Sequence, residues 1–174
     1  MNSETQNEVT FSQTLSTLLG TPSKEIESSE KGRIGRCRVW RSPMTLDTTL
    51  VTEVIGQGTV EIAQFLIDES HEIAVNYGRF DCFHHWLGVD KLTSGVVPVM
   101  GGWSKSLPKD IRDGGLRTAV ISFSLSHSFY YNLVNTLALM TGFKDPKIVK
   151  SEEEFLSLLK GFLEQNSIIN SLNQ

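Results

Sequence analysis

The sequence predicts an α/β domain whose mixed, largely parallel sheet has about five strands, covered by about four helices. Three observations predict it. Short β-branched runs, such as residues 48–55 and 116–123, alternate with stretches whose apolar residues recur at helical spacing. Two strand-like runs come first with no helix between them, which implies an opening hairpin before the strand–helix alternation begins. With 174 residues, 39% hydrophobic and 21% charged, the chain holds enough apolar side chains to bury one core.

Residues 1–32 form an acidic N-terminal arm. Phe11, Leu15, Leu18 and Leu19 fall at i, i+4, i+7 and i+8, enough for a short amphipathic helix behind Thr10 as its cap. Gly20, Pro22 and the Ser/Glu cluster of residues 23–30 break that helix. Such an arm either frays or docks, onto the domain or onto a second subunit. The domain proper covers residues 33–164, and residues 165–174 are a polar tail that frays from Asn166.

The first strand covers residues 34–41, with Cys37 and Val39 on one face and Arg36, Arg38 and Trp40 on the other; Pro43 ends it. The second, residues 48–55, is rich in β-branched side chains. Gly56-Gln57-Gly58-Thr59 then turns into a helix with the stripe Ile62, Ala63, Leu66, Ile67, Ala74 and Tyr77, capped by Thr59 and stopped by Gly78. A third strand at residues 80–86 follows. The second helix begins near Ser94, with Val96, Val97, Met100, Trp103 and Leu107 inward. Pro98 is tolerated in its first turn, where an amide has no intrahelical partner.

After a loop at residues 108–115 comes a buried strand at 116–123. A third helix at residues 128–140 carries Tyr130, Leu133, Val134, Leu137 and Met140 and stops at Gly142. A short strand at residues 147–149 leads into the last helix. There Ser151 and Glu154 form a capping box, and Phe155, Leu158, Leu159, Phe162 and Leu163 repeat at helical spacing. The order is β-β-α-β-α-β-α-β-α.

Charge and cysteines narrow the function classes. Glu4, Glu8, Glu25, Glu27 and Glu30, against Lys24, place the whole net charge of −4 in residues 1–30. The rest of the chain is neutral and has no field to attract nucleic acid, while the acidic leader repels it. No apolar run approaches the roughly 18 residues a spanning helix needs. Glu4 and Glu8 stand where a secretory signal would be basic and then apolar. Cys37 and Cys82 lie on different predicted strands, and two reduced thiols in a cytoplasmic protein are expected.

Candidate chemistry is sparse. Cys82 and His84 share a strand face while His85 points the other way, and no second CxxC or HxxxH pair exists, so no metal site is assigned. His84 or His85 could serve as a base with Ser94 or Asp90 at the carboxyl end of a strand. No Gly-x-Ser-x-Gly elbow accompanies them, and no catalytic residue is assigned. Gly56-Gln57-Gly58 lacks the third glycine of a dinucleotide loop and any Gly-Lys-Ser/Thr, which leaves a tight turn and no cofactor. Lys31, Arg33, Arg36, Arg38 and Arg41, interleaved with Trp40, are either an anion strip or the protective charge of an exposed edge strand. Edge protection is the commoner cause. Trp103, Tyr130, Tyr131 and Met140 either line a small apolar cavity between helices and sheet or pack the core.

Three stretches carry a family likeness. Phe83-His84-His85-Trp86-Leu87-Gly88-Val89 is similar to a strand ending, residues 116–125 to a buried strand, and residues 147–155 to a strand, acidic turn and closing helix of the STAS fold. The chain resembles STAS domains, the fold of anti-sigma-factor antagonists, and more closely the SpoIIAA-like branch of mostly uncharacterised bacterial proteins. The arm lies outside the likeness. In partner-switching STAS proteins a Ser or Thr in an Asp-Ser-Ser-Gly type turn is phosphorylated at the second helix's N-terminus. Leu92-Thr93-Ser94-Gly95 occupies that place, with Leu92 replacing the acid. The resemblance implies Ser94 or Thr93 as phospho-acceptor, against Ser94 as a plain N-cap. It further implies a non-enzymatic regulatory module in a partner-switching or signalling pathway. Such a module would bind another protein, or itself as a homodimer, through His84, His85, Trp86, Asp90 and Gly95. The alternative is a small-molecule or lipid-binding module using the apolar pocket at Trp103, Tyr130, Tyr131 and Met140.

Overall fold

Strand pairing follows chain order. The computed structural model describes residues 3–41, 47–123, 143 and 145–172. In it β1 (Lys24–Glu30), β2 (Arg33–Trp40), β3 (Thr49–Gly58), β4 (Phe80–Leu92), β5 (Leu116–Phe123) and β6 (Lys147–Val149) form one six-stranded sheet in the order β1-β2-β3-β4-β5-β6. The first three strands pair antiparallel and the rest parallel, so the sheet is mixed and the α/β class is observed. Helices α1 (Ser3–Leu19), α2 (Val60–Tyr77), α3 (Val96–Ser106) and α4 (Glu152–Leu172) cover it, with one π-helical turn at Ile111–Gly115 before β5.

Alternation along the strands divides the core into two layers. Cys37, Val39, Leu50, Val54, Cys82, Trp86 and Ile121 pack with Ile62, Leu66 and Ile73 of α2 and with Val96 and Trp103 of α3. Trp40, Val51, Phe83, Val120 and Val149 point the other way, against Phe11, Leu15 and Leu19 of α1 and Phe155 and Leu159 of α4. Both cysteines are free and buried. Desolvation raises both thiol pKa values.

The local signals act where they were expected. The Thr59 hydroxyl accepts from the Ile62 amide at 3.2 Å, and Gly78 ends α2 with φ +66°. Ser151 Oγ accepts from the Glu154 amide at 3.2 Å, half of the capping box. The Glu154 carboxylate reaches the Lys150 amide instead of that of Ser151.

Five expectations need correction. α1 starts at Ser3, so Thr10 is not its cap; of the two fates left open for the arm, it docks, burying Phe11, Leu15 and Leu19. Trp40 Nε1 donates to the Gly20 carbonyl at 3.0 Å, fixing the chain as it leaves α1. The Ser/Glu cluster is strand β1, whose acids face arginines of β2 in register, Glu25 opposite Arg38 and Glu27 opposite Arg36. β2 is therefore not an edge strand. α4 runs to Leu172 instead of fraying at Asn166, and Tyr77 is 47% exposed. The predicted helix at residues 128–140 lies outside the described residues.

Candidate functional site

The predicted site residues do not share one surface. β3 and β4 continue through register shifts to Gly58 and Leu92, so His84, His85 and Trp86 sit in mid-strand, between β3 and β5. All three are buried and offer no face to a partner. Of the proposed partner surface, only Asp90 is exposed, with Gly95 half-buried. In the turn before α3, Thr93 is buried; its amide donates to the Gly58 carbonyl at 2.9 Å and its carbonyl accepts from the Val96 amide at 3.1 Å. Ser94 beside it is exposed and stands outside α3, which begins at Val96, so it is not the helix N-cap.

The other candidates fall into the scaffold. Gly56, Gln57 and Gly58 belong to β3 and make no phosphate loop. Gly56 has φ +74°, and a Cβ there would lie 2.5 Å from the Ile34 carbonyl oxygen, so glycine permits the close approach of β2. Trp103 packs edge-on against Phe80, with ring centroids 5.8 Å apart, as a core residue. Tyr130, Tyr131 and Met140 lie outside the described residues. Much of the basic strip is paired: Arg36 with Glu27 at 2.9 Å and Glu25 at 3.4 Å, and Arg41 with Glu72 at 3.2 Å and Glu69 at 3.7 Å, while Lys31 and Arg33 are exposed.

A different constellation emerges from the register. Glu25 lies opposite Arg38, Arg38 opposite Glu53, Glu53 opposite His85, and His85 opposite Ser122. Five strands thus place polar side chains at one level of the sheet, on the α1/α4 side. Arg38 donates to Glu53 at 3.0 Å and to Glu25 at 3.2 Å. From α1, Ser12 donates to Glu53 at 2.5 Å and accepts from Arg38 at 2.5 Å. Glu53 is 1% exposed, and its burial as a carboxylate is supported by these charge-assisted bonds. Desolvation alone would lower the Arg38 pKa, but the bonds to Glu53 and Glu25 outweigh it and hold the guanidinium charged.

His85 is the unusual member. Its ring stacks on Phe11 of α1, centroids 3.8 Å apart, and meets Phe155 of α4 edge-on at 5.5 Å. Both ring nitrogens are buried without a hydrogen bond, and Nε2 lies 3.9 Å from Glu152 Oε1. Desolvation pushes its pKa down to about 3. Glu152 is raised by burial first, then by Glu153 and Glu53. His84, in the opposite layer, is satisfied: its Nδ1 is hydrogen-bonded to Thr52 Oγ1 at 2.6 Å, and burial lowers its pKa to about 4. Among the described residues no group of three or more His, Cys, Asp or Glu could hold a metal ion. No described helix is long and apolar enough to cross a membrane.

Sequence reasoning weighed His85 but missed Glu53 and Ser12. An acid inside the β-branched run of residues 48–55 was the available signal, since a carboxylate is rarely buried unless paired. No family model matches the chain, and no curated protein matches it.

Proposed function

We propose that the chain is a non-enzymatic regulatory module of the STAS, SpoIIAA-like type, which binds another protein through the turn between β4 and α3. The observation that carries this reading is the position of Ser94. It is exposed in the turn, while Thr93 beside it is buried and bound through its backbone, so Ser94 is the accessible phospho-acceptor. A phosphate there would stand ahead of the first-turn amides of α3, which have no intrahelical partners and carry the positive end of the helix dipole.

The surroundings support recognition by a protein. Exposed Asp90 and Lys91 precede the turn on β4. Val60 of α2, 37% exposed, packs against Gly95, where a Cβ would lie 2.6 Å from Val60 Cγ2. The turn is thus rigidly seated and offers polar, apolar and modifiable groups side by side. The row through Glu53 and His85 is closed by α1, which favours binding over catalysis. Two buried free thiols fit a cytoplasmic location.

Phosphopeptide mapping of the protein from its native cells tests the reading. Phosphate on Ser94 and none on Thr93 is the expected result, with Ser94→Glu and Ser94→Ala differing at least fivefold in affinity for the captured partner. Unmodified Ser94 under every growth condition removes the switch. Equal affinities of the two variants remove the turn as the binding face.

A further inference from the structure

On the α1/α4 side of the sheet, away from the β4–α3 turn, a groove of about 410 Å³ opens between β5, β6 and the middle of α4. Its volume lies within the range of about 300–1,000 Å³ usual for small-molecule sites. The base is apolar and aromatic. Phe83 is buried there, its ring centroid 5.1 Å from that of Phe162, and Leu158 continues the surface one turn back along α4.

The rim is charged and unbalanced. Arg117 and Lys147 border the groove with Asp145, and all three are exposed. Among the described residues none of the three is in an ion pair, unlike Arg36, Arg38 and Arg41, whose charges are matched. Lys147 is opposite Val120 in the parallel register, and Val120 belongs to the α1/α4 layer, so the Lys147 side chain starts on the groove side. Two cations against one carboxylate leave the mouth positive. Gly161 of α4 opens the wall: a Cβ there would meet nothing within 4 Å.

We propose that this groove binds a small amphipathic anion, with its apolar body on Leu158 and Phe162, which Phe83 backs from beneath, and its anionic head between Arg117 and Lys147. The apolar base supplies most of the binding and the rim cations its preference for negative charge. A neutral apolar compound would leave both cations without a partner, and a cationic one would be repelled.

The test is titration of the full chain with 8-anilinonaphthalene-1-sulfonate, an aryl sulfonate, followed by fluorescence and calorimetry. Saturable binding at one site is expected, at least about tenfold tighter than that of neutral N-phenyl-1-naphthylamine. Gly161→Trp fills the groove and weakens binding by about tenfold or more. Its helical position favours folding over the parent glycine. Lys147→Glu, which leaves the wall intact, weakens it about fivefold, and the loss shrinks at high salt. Circular dichroism confirms that each variant is folded. Absence of saturable binding, or binding unchanged by both variants, overturns the proposal. Equal affinity for the neutral analogue overturns its anionic part. Because the groove is remote from Ser94, neither outcome bears on the switch.

Discussion

The two layers of the molecule use one sheet in opposite ways, and the neighbours His84 and His85 in β4 show how. His84 faces α2 and α3, in a layer rich in aliphatic and aromatic side chains, where its Nδ1 is hydrogen-bonded to the Thr52 hydroxyl at 2.6 Å. His85 faces α1 and α4, in a layer crossed by ionisable groups, yet its own nitrogens make no hydrogen bond. In the first layer, apolar area does most of the stabilising, and its buried polar side chains are served one at a time: His84 by Thr52, Thr59 by Ser28 and Glu69 by Lys24. In the second, burial is tolerable because Arg38, Glu53, Glu25 and Ser12 satisfy one another across three strands and a helix. A buried charge network is only as good as its least replaceable member. That member is Glu53.

Glu53→Gln gives the largest expected effect. It removes the carboxylate from beside Arg38, which is 20% exposed, and leaves the guanidinium to the half-exposed Glu25. Losing one partner of a buried pair costs about 3–5 kcal/mol, read as a lower urea midpoint with the slope unchanged. The double change Arg38→Met with Glu53→Leu removes both charges and restores stability to within about 1 kcal/mol of the parent. A cost below about 1 kcal/mol for Glu53→Gln would mean that the row is solvated and that the two layers do not differ in kind.

The second test uses pH. Both histidines have folded-state pKa values below the ordinary 6.5, at about 4 for His84 and about 3 for His85. Above pH 6.5 both are neutral in either state, and stability is unaffected. Below it the unfolded chain takes up protons that the folded chain refuses, so stability falls until the pH reaches the folded values. At pH 5 each histidine costs about 2 kcal/mol. Glu152, raised in the folded state, opposes this: the folded chain takes up its proton sooner as the pH falls. His85→Phe keeps the stack between Phe11 and Phe155 and removes one of the two proton sites, so urea unfolding at pH 5 should recover about 2 kcal/mol. An unaltered pH profile would show that His85 is hydrated in solution.

What was legible from sequence follows the same division. The layer of α2 and α3 was written in local signals: the stripe from Ile62 to Ala74, the Thr59 cap and the Gly78 stop act within one helix and need no neighbour. The hidden layer depends on register, which no local pattern encodes. Glu53 and His85 become neighbours only because β3 and β4 pair in parallel at that offset, and Ser12 joins them only when α1 docks. β1 escaped notice for a related reason. Its sequence, Lys-Glu-Ile-Glu-Ser-Ser-Glu, has one β-branched residue, Ile26, and its stability as an edge strand comes from the arginines opposite. The acidic leader and the basic run, treated apart as a repelling tail and as the protective charge of an edge strand, meet in the ion pairs of Glu25 and Glu27 with Arg36 and Arg38.

The smallest expected effect lies in the quieter layer. Thr52→Val keeps shape and β propensity but deletes the hydroxyl bonded to His84 Nδ1. Thr52 is fully buried and His84 only 9% exposed, so water does not readily replace the lost partner. The cost is that of one buried nitrogen left unsatisfied, about 1–2 kcal/mol at neutral pH, partly offset by the added methyl group. If a satisfied imidazole is what distinguishes this layer, Thr52→Val makes His84 resemble His85 and should leave the pH dependence below 6.5 intact, because desolvation, not Thr52, lowers the His84 pKa. A loss at neutral pH with a parallel pH profile separates hydrogen bonding from burial at His84. A flattened profile would mean instead that the hydroxyl had been holding the ring neutral, and that the two histidines differ in their proton chemistry as well as in their partners.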